Sequence, residues 1–253
     1  MNGEDWWSTV GAYNNAIFPM QIITMVTGIT LTYFLFAKPN TTTNNLMKAY
    51  LAFTFAWNGI VFFLIFGREL PGIFLGAPLF IVTAVLFAAD IFTKKTRFQL
   101  PDARWHNYLT IFWILCAFLY PLIGLPLGHY YPKTCIFGVF PCPTTVFALA
   151  LLAAATPKAD KKTYILLLIW ALPSVGKCFG ALDLREDCVL FVAGVYGLVM
   201  LVKNWKATFA TPAGMSRNNG LATQAHCSEW SQAETIPYGS PCNVAQTSKW
   251  SST

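Results

Sequence analysis

Between two strongly apolar runs the chain carries Gly128-His-Tyr-Tyr-Pro-Lys-Thr-Cys-Ile-Phe-Gly-Val-Phe-Pro-Cys-Pro143. An imidazole, two phenols, an ammonium and two thiols share one short connection. Such a set can hold a polar solute, bind a metal, exchange thiols or simply brace a loop. Spacing narrows the choice. His129, Cys135 and Cys142 do not form the compact C-x-x-C pairs of a zinc site, so no metal is expected. A disulfide oxidoreductase also favours C-x-x-C with a tuned thiolate. No G-x-S-x-G elbow, H-E-x-x-H pair or phosphate-binding glycine loop occurs, so no catalytic residue or cofactor is assigned and an enzyme is the least supported class.

The elements that position this cluster follow from composition. The chain has 253 residues, 55% hydrophobic and only 11% charged, with a mean hydropathy of +0.50. Soluble domains carry about 25% charged residues, so the expected solvent for most of this chain is a lipid bilayer. The net charge of +6 comes from basic clusters between apolar segments, with no basic helix or stacking platform to suggest nucleic acid. The acidic, aromatic start, Met1-Asn-Gly-Glu-Asp-Trp-Trp7, lacks the positive region of a cleavable signal, so the first apolar segment is expected to be retained.

A spanning helix needs about 20 mainly apolar residues. Ala16–Ala37, Met47–Phe66, Ile73–Phe92, Tyr108–Leu127, Gly138–Thr156, Thr163–Leu182 and Cys188–Val202 approach this. The expected fold is all-α, a polytopic transmembrane helix bundle over 1–206 with about seven spans, six being the alternative. A polar, disordered cytoplasmic tail is expected over 207–253, where Ser, Thr, Asn, Gln and Gly dominate and too little apolar surface exists to offset ordering entropy.

Orientation follows from the lysines and arginines. Under seven spans one side receives Lys38, Lys48, Lys94, Lys95, Arg97, Arg104, Lys158, Lys161, Lys162, Lys203 and Lys206, while the other receives Arg68, Lys133, Lys177 and Arg185. The richer side is cytoplasmic by the positive-inside rule. The N-terminus and the Gly128–Pro143 segment therefore face out.

At that outer surface stand the ligand-binding candidates His129, Tyr130, Tyr131, Lys177 and Asp183, with Asp187 and Glu186 as further counter-charges to Lys177. Cys135, Cys142, Cys178 and Cys188 are disulfide candidates on an oxidising side. Four cysteines allow three complete pairings, and Cys135–Cys142 would close a short loop. Within the spans, Gln21 and Asn58 need hydrogen-bond partners because hydrocarbon supplies none. Asp90, four residues before Lys94, is read as half of an interfacial i,i+4 ion pair. Prolines flanking Cys142 prevent an earlier helix start, so the segment reads as a rigid loop that re-enters the bilayer and caps the bundle, or lines a vestibule.

Tyr13-Asn-Asn-Ala-Ile-Phe-Pro-Met-Gln21, together with Gly128-His-Tyr-Tyr-Pro132, Phe137-Gly138 and Pro141-Cys-Pro143, resembles a family of small polytopic bacterial membrane proteins known only as a domain of unknown function. The likeness runs from about Trp6 to Trp205 and stops before the tail. It implies a bacterial inner-membrane protein whose outer loops carry the signature, and it implies no chemistry. The resulting expectation is a multi-pass protein that binds or moves a small solute through an outward-facing site. A non-transporting subunit or sensor docking a membrane protein partner is the alternative, and a membrane-embedded enzyme is the second alternative.

Overall fold

Met20–Ala37 turns its polar side inward. In the computed structural model, which describes residues 3–69, 72–101, 103–179 and 184–204, this helix (α2) buries Gln21, Thr24, Gly28 and Thr32 and exposes Ile22, Ile23, Val26 and Ile29. The pattern is the reverse of a water-soluble helix. Small and hydroxyl side chains let helix backbones approach, while the apolar side chains face outward.

Before it, α1 (Gly3–Ala16) buries Trp7, Val10, Tyr13 and Asn14, a period that puts all four on one helix face. Asn40 starts α3 (Thr41–Trp57) with a reciprocal capping box: Thr43 N–H donates to its side chain at 2.8 Å, and its own N–H donates to Thr43 Oγ1 at 3.1 Å. After Trp57 the rod continues as a wider π-helix, Asn58–Phe66, closed by Gly67 N–H on the Phe62 carbonyl at 2.7 Å. Then come α4 (Ile73–Thr93) and α5 (Arg104–Phe118). Pro121 follows at the start of α6 (Tyr120–Gly124), which runs into a 3-10 turn, Leu125–Leu127.

Pro141 and Pro143 occupy the first turn of α7 (Pro141–Ala155), where missing N–H groups cost nothing. Every residue of α7 is buried. It is the axis of the fold, packed by α3, α5, α8 (Lys161–Ala171) and α10 (Asp187–Lys203). Its alanines leave room for this crowding. Asp160 caps α8 through Thr163 N–H at 3.0 Å. Pro173 breaks that helix into a 3-10 turn, Leu172–Ser174, followed by the short α9 (Val175–Cys178).

The described residues are all-helical, with no strand. Among the described residues, three rods are long and apolar enough to cross a membrane: Met20–Ala37, Thr41–Phe66 and Ile73–Thr93. Arg104–Phe118 with Tyr120–Leu127, bent by 69°, makes a fourth if the pair is one span. This is fewer than the seven expected. The reason is local: prolines at 141, 143, 157 and 173 clip the later apolar runs, leaving Pro141–Ala155 at 15 residues and Lys161–Ala171 at 11. The expected polar tail, 207–253, lies outside the described residues.

Asp90 departs from the expected i,i+4 pair. Its carboxylate meets Lys48 Nζ at 3.0 Å and accepts Lys95 N–H at 2.7 Å and Thr96 N–H at 3.1 Å. Lys94, the predicted partner, ends α4 in the left-handed region (φ 51°), and the chain wraps around the buried acid instead.

Candidate functional site

The Gly128–Pro143 segment is pinned by the chain's other signature stretch. Asn14 Nδ2 donates to the Pro132 and Thr134 carbonyls at 2.5 and 2.8 Å. Tyr13 Oη donates to the Val139 carbonyl at 2.7 Å and receives Trp57 Nε1–H at 2.9 Å. Gln21 holds Asn14 in place, donating to its side-chain and backbone oxygens at 2.7 and 2.9 Å. Asn58 Nδ2 donates to the Thr54 and Gly138 carbonyls at 2.7 and 3.3 Å. Irregular backbone buried among apolar side chains needs such partners, because a buried polar group left unpaired is costly. The amides Gln21 and Asn58 therefore serve the loop.

Gly138 shows why the loop closes so tightly. Its φ is +86°, and an added Cβ would stand 2.7 Å from Thr24 Cβ. Phe137 beside it stacks edge-on against Phe118 and Phe147. The Phe-Gly pair is a wedge between helices.

Beneath the loop, the start of α10 brings two acids into the interior. Glu186 and Asp187 are each 4% exposed. His129 Nδ1 pairs with Glu186 Oε1, and the imidazole stacks on Trp7 with centroids 3.7 Å apart. Tyr120 Oη donates to the Glu186 carbonyl at 2.8 Å and lies 3.4 Å from Asp187 Oδ1. Lys177 Nζ stands 3.9 Å from Asp187 Oδ2 and 4.1 Å from the Trp170 ring centroid. That ion pair is too long for a hydrogen bond, so Asp187 Oδ2 has none; Glu186 Oε2 has none either.

Burial raises the Asp187 carboxyl above its ordinary range, opposed by Lys177 and by the Cys142 thiol and reinforced by Glu186. Burial likewise pushes the Cys135 thiol well up, with Asp187 and Glu186 adding to it.

A cavity of about 120 Å³ opens against this cluster. Trp6, Phe63 and Trp170 form aromatic walls, and Cys142, Lys177 and Asp187 supply the polar edge. The indole N–H groups of Trp6 and Trp170 are buried without a partner. The chamber thus joins π faces with the side chains of Cys142, Lys177 and Asp187.

The sequence-predicted residues divide. Lys177 lines the cavity. His129 is committed to Glu186 and Trp7. Tyr130 and Tyr131 are 64% and 53% exposed and lie away from the lining. Asp183 falls outside the described residues. Cys178 and Cys188 form a disulfide, whereas Cys135 and Cys142 are free thiols. The pairing is decided by α9 docking beside the start of α10. Among the described residues, no three His, Cys, Asp or Glu side chains converge as a metal-ligand set. Tyr120 and Trp170 escaped sequence reasoning as site residues, because an aromatic in an apolar run looks the same whether it faces outward or a chamber.

A family model described as a family of unknown function, DUF6064, matches residues 3–211. No curated protein and no solved structure matches the chain.

Proposed function

The chain belongs to the DUF6064 family of unknown function, and from that premise we propose that it is a multi-pass membrane protein that binds a small solute in the chamber beside Asp187. The bent α5–α6 pair, α7, α8 with α9, and α10 would complete seven crossings, with the last running Cys188–Val202. The sorting of contacts supports this. Lys48–Asp90, Thr96–Asp160 and Thr156–Asn204 would lie at one face, and Tyr13–Val139, His129–Glu186 and Cys178–Cys188 at the other. A disulfide belongs on an oxidising side, in accord with the charge bias that would make this face the outer one.

The observation that carries the binding reading is Asp187 Oδ2, buried without a hydrogen bond at the wall of a chamber with aromatic sides. An unsatisfied buried acceptor costs roughly 1–3 kcal/mol, and a solute donor group would remove that cost. Lys177 already holds an ammonium between the Trp170 face and this carboxylate, so the chemistry suits a compact ammonium or hydroxyl on a short apolar body. The space admits several water-sized units, which means a small solute.

Native mass spectrometry of the detergent-purified, unreduced protein tests this. A non-lipid solute retained by the wild type and lost from Asp187→Asn supports the chamber as its site. A bare wild-type mass, with no thermal shift from short alkylammonium ions or alcohols, overturns it. The exposed pair Tyr130 and Tyr131 favours a second reading, an outer docking face, since tyrosine is enriched at interfaces. Tyr130→Ala would then release a co-purifying partner without altering solute retention.

A further inference from the structure

The opposite end of the bundle carries a second cavity with different chemistry. It measures about 340 Å³, and its lining includes Lys48, Lys94 and Arg97, together with the amides of Asn44, Asn45 and Gln99. Its walls bring three cations and no carboxylate. The walls come from the first turns of α3 and from the extended segment that follows α4.

Both walls are held stiffly. Asn44 donates to the Phe98 carbonyl at 3.2 Å and accepts Phe98 N–H at 2.7 Å. Asp90 gathers Lys48 Nζ and the Lys95 and Thr96 amides, and Thr96 Oγ1 accepts Asp160 N–H at 3.0 Å. Buried Asp90 cancels only Lys48, leaving Lys94 and Arg97 in excess; among the described residues neither has an ion-pair partner. The Lys48 ammonium, 2% exposed, spends two N–H bonds on Asp90, to Oδ2 and to the carbonyl at 3.1 Å, and has a third to give. Lys94 holds a left-handed backbone, which is costly for a lysine.

A rigid cavity with surplus donors and surplus positive charge is the inverse of an anion. We propose that this cavity binds a phosphate group, with Lys94 and Arg97 as the charge contacts and Lys48 and Asn45 as donors from the inner wall. Lysine and arginine are the side chains that take phosphate through charge-assisted hydrogen bonds. The N-terminal end of α3 adds its dipole in the same sense. The phosphate is either that of a soluble phosphate compound or that of an anionic lipid headgroup, since the cavity lies on the side the charge bias makes cytoplasmic, where anionic lipid meets basic residues.

The test uses the full-length purified protein and the double variant Lys94→Ala/Arg97→Ala. Both side chains are exposed, so the unliganded variant should melt with the wild type. Inorganic phosphate is titrated in detergent against chloride at matched ionic strength, and native mass spectra are recorded from nanodiscs of mixed phosphatidylglycerol and phosphatidylcholine. A phosphate-dependent thermal shift, weakened about tenfold or more in the variant, assigns a soluble ligand. Retention of phosphatidylglycerol but not phosphatidylcholine, lost in the variant, assigns the headgroup. Absence of both responses in the wild type overturns the site, as does a variant that binds either probe as well as the wild type. If the double variant fails to fold, Arg97→Gln alone is read against the same criteria.

Discussion

Asn14 and Thr134 lie 120 positions apart in the chain and 2.8 Å apart in space, the amide of one donating to the carbonyl of the other. The two stretches that carry the family resemblance are thus one structural unit, helix α1 holding the Gly128–Pro143 loop shut.

Asn14→Ala removes two donors to loop carbonyls and one of the two acceptors of the Gln21 amide. A loss of about 2–3 kcal/mol is expected from buried groups left unpaired. Thermal unfolding in detergent measures it, and hydrogen exchange should rise across residues 132–139 before anywhere else. Uniform exchange in the two proteins would mean that the loop holds itself.

Gly138→Ala forces a left-handed backbone on alanine, about 1–2 kcal/mol, and drives a methyl into Thr24. Gly176 has open space around its Cβ position, so Gly176→Ala should be neutral or slightly stabilising. Comparing the two melting temperatures separates local crowding from a general intolerance of change.

Lys48→Met leaves a buried carboxylate without its cation, a change expected to cost about 3–5 kcal/mol. Asp90→Leu should be worse, because it also strands the Lys95 and Thr96 amides. The double variant should recover only part of the loss. Full recovery would show that the turn after α4 does not depend on Asp90.

Burial raises the Asp187 carboxyl above its ordinary value of 3.8. Between the two values the folded chain holds more protons than the unfolded one, so this group's contribution to stability falls as pH rises through that window. Asp187→Asn lacks the slope. Its melting temperature minus that of the wild type should climb through the window and then level off. Parallel curves would argue against a buried acid.

The unreduced protein should weigh about two hydrogens less than its fully reduced form, one bridge's worth. Cys178→Ser should abolish that difference and Cys135→Ser should leave it intact, because among the described residues Cys178 and Cys188 are the joined pair. Closing so short a loop contributes about 2–3 kcal/mol. A bridge surviving in Cys178→Ser would place the pairing elsewhere.

Helix-forming apolar runs, basic clusters and prolines are local properties, and they can be read in one dimension. From them came the all-helical fold, the irregular loop at Gly128–Pro143 and its outer position as an expectation. Composition also marked Gln21 and Asn58 as amides in need of partners. Helix length was less legible, since a run of apolar residues does not say where a helix such as Lys161–Ala171 will stop before Pro173.

Pairing was beyond the sequence. Asp90 had a lysine four residues away and took another 42 residues away. Cys142 had Cys135 close by and kept its thiol, while Cys178 joined Cys188. Helical periodicity says which residues share a face and leaves open which helix that face meets. Only tertiary packing, with α7 as its buried axis, decided those neighbours, and with them the chamber beside Asp187 and the cationic cavity at the far end.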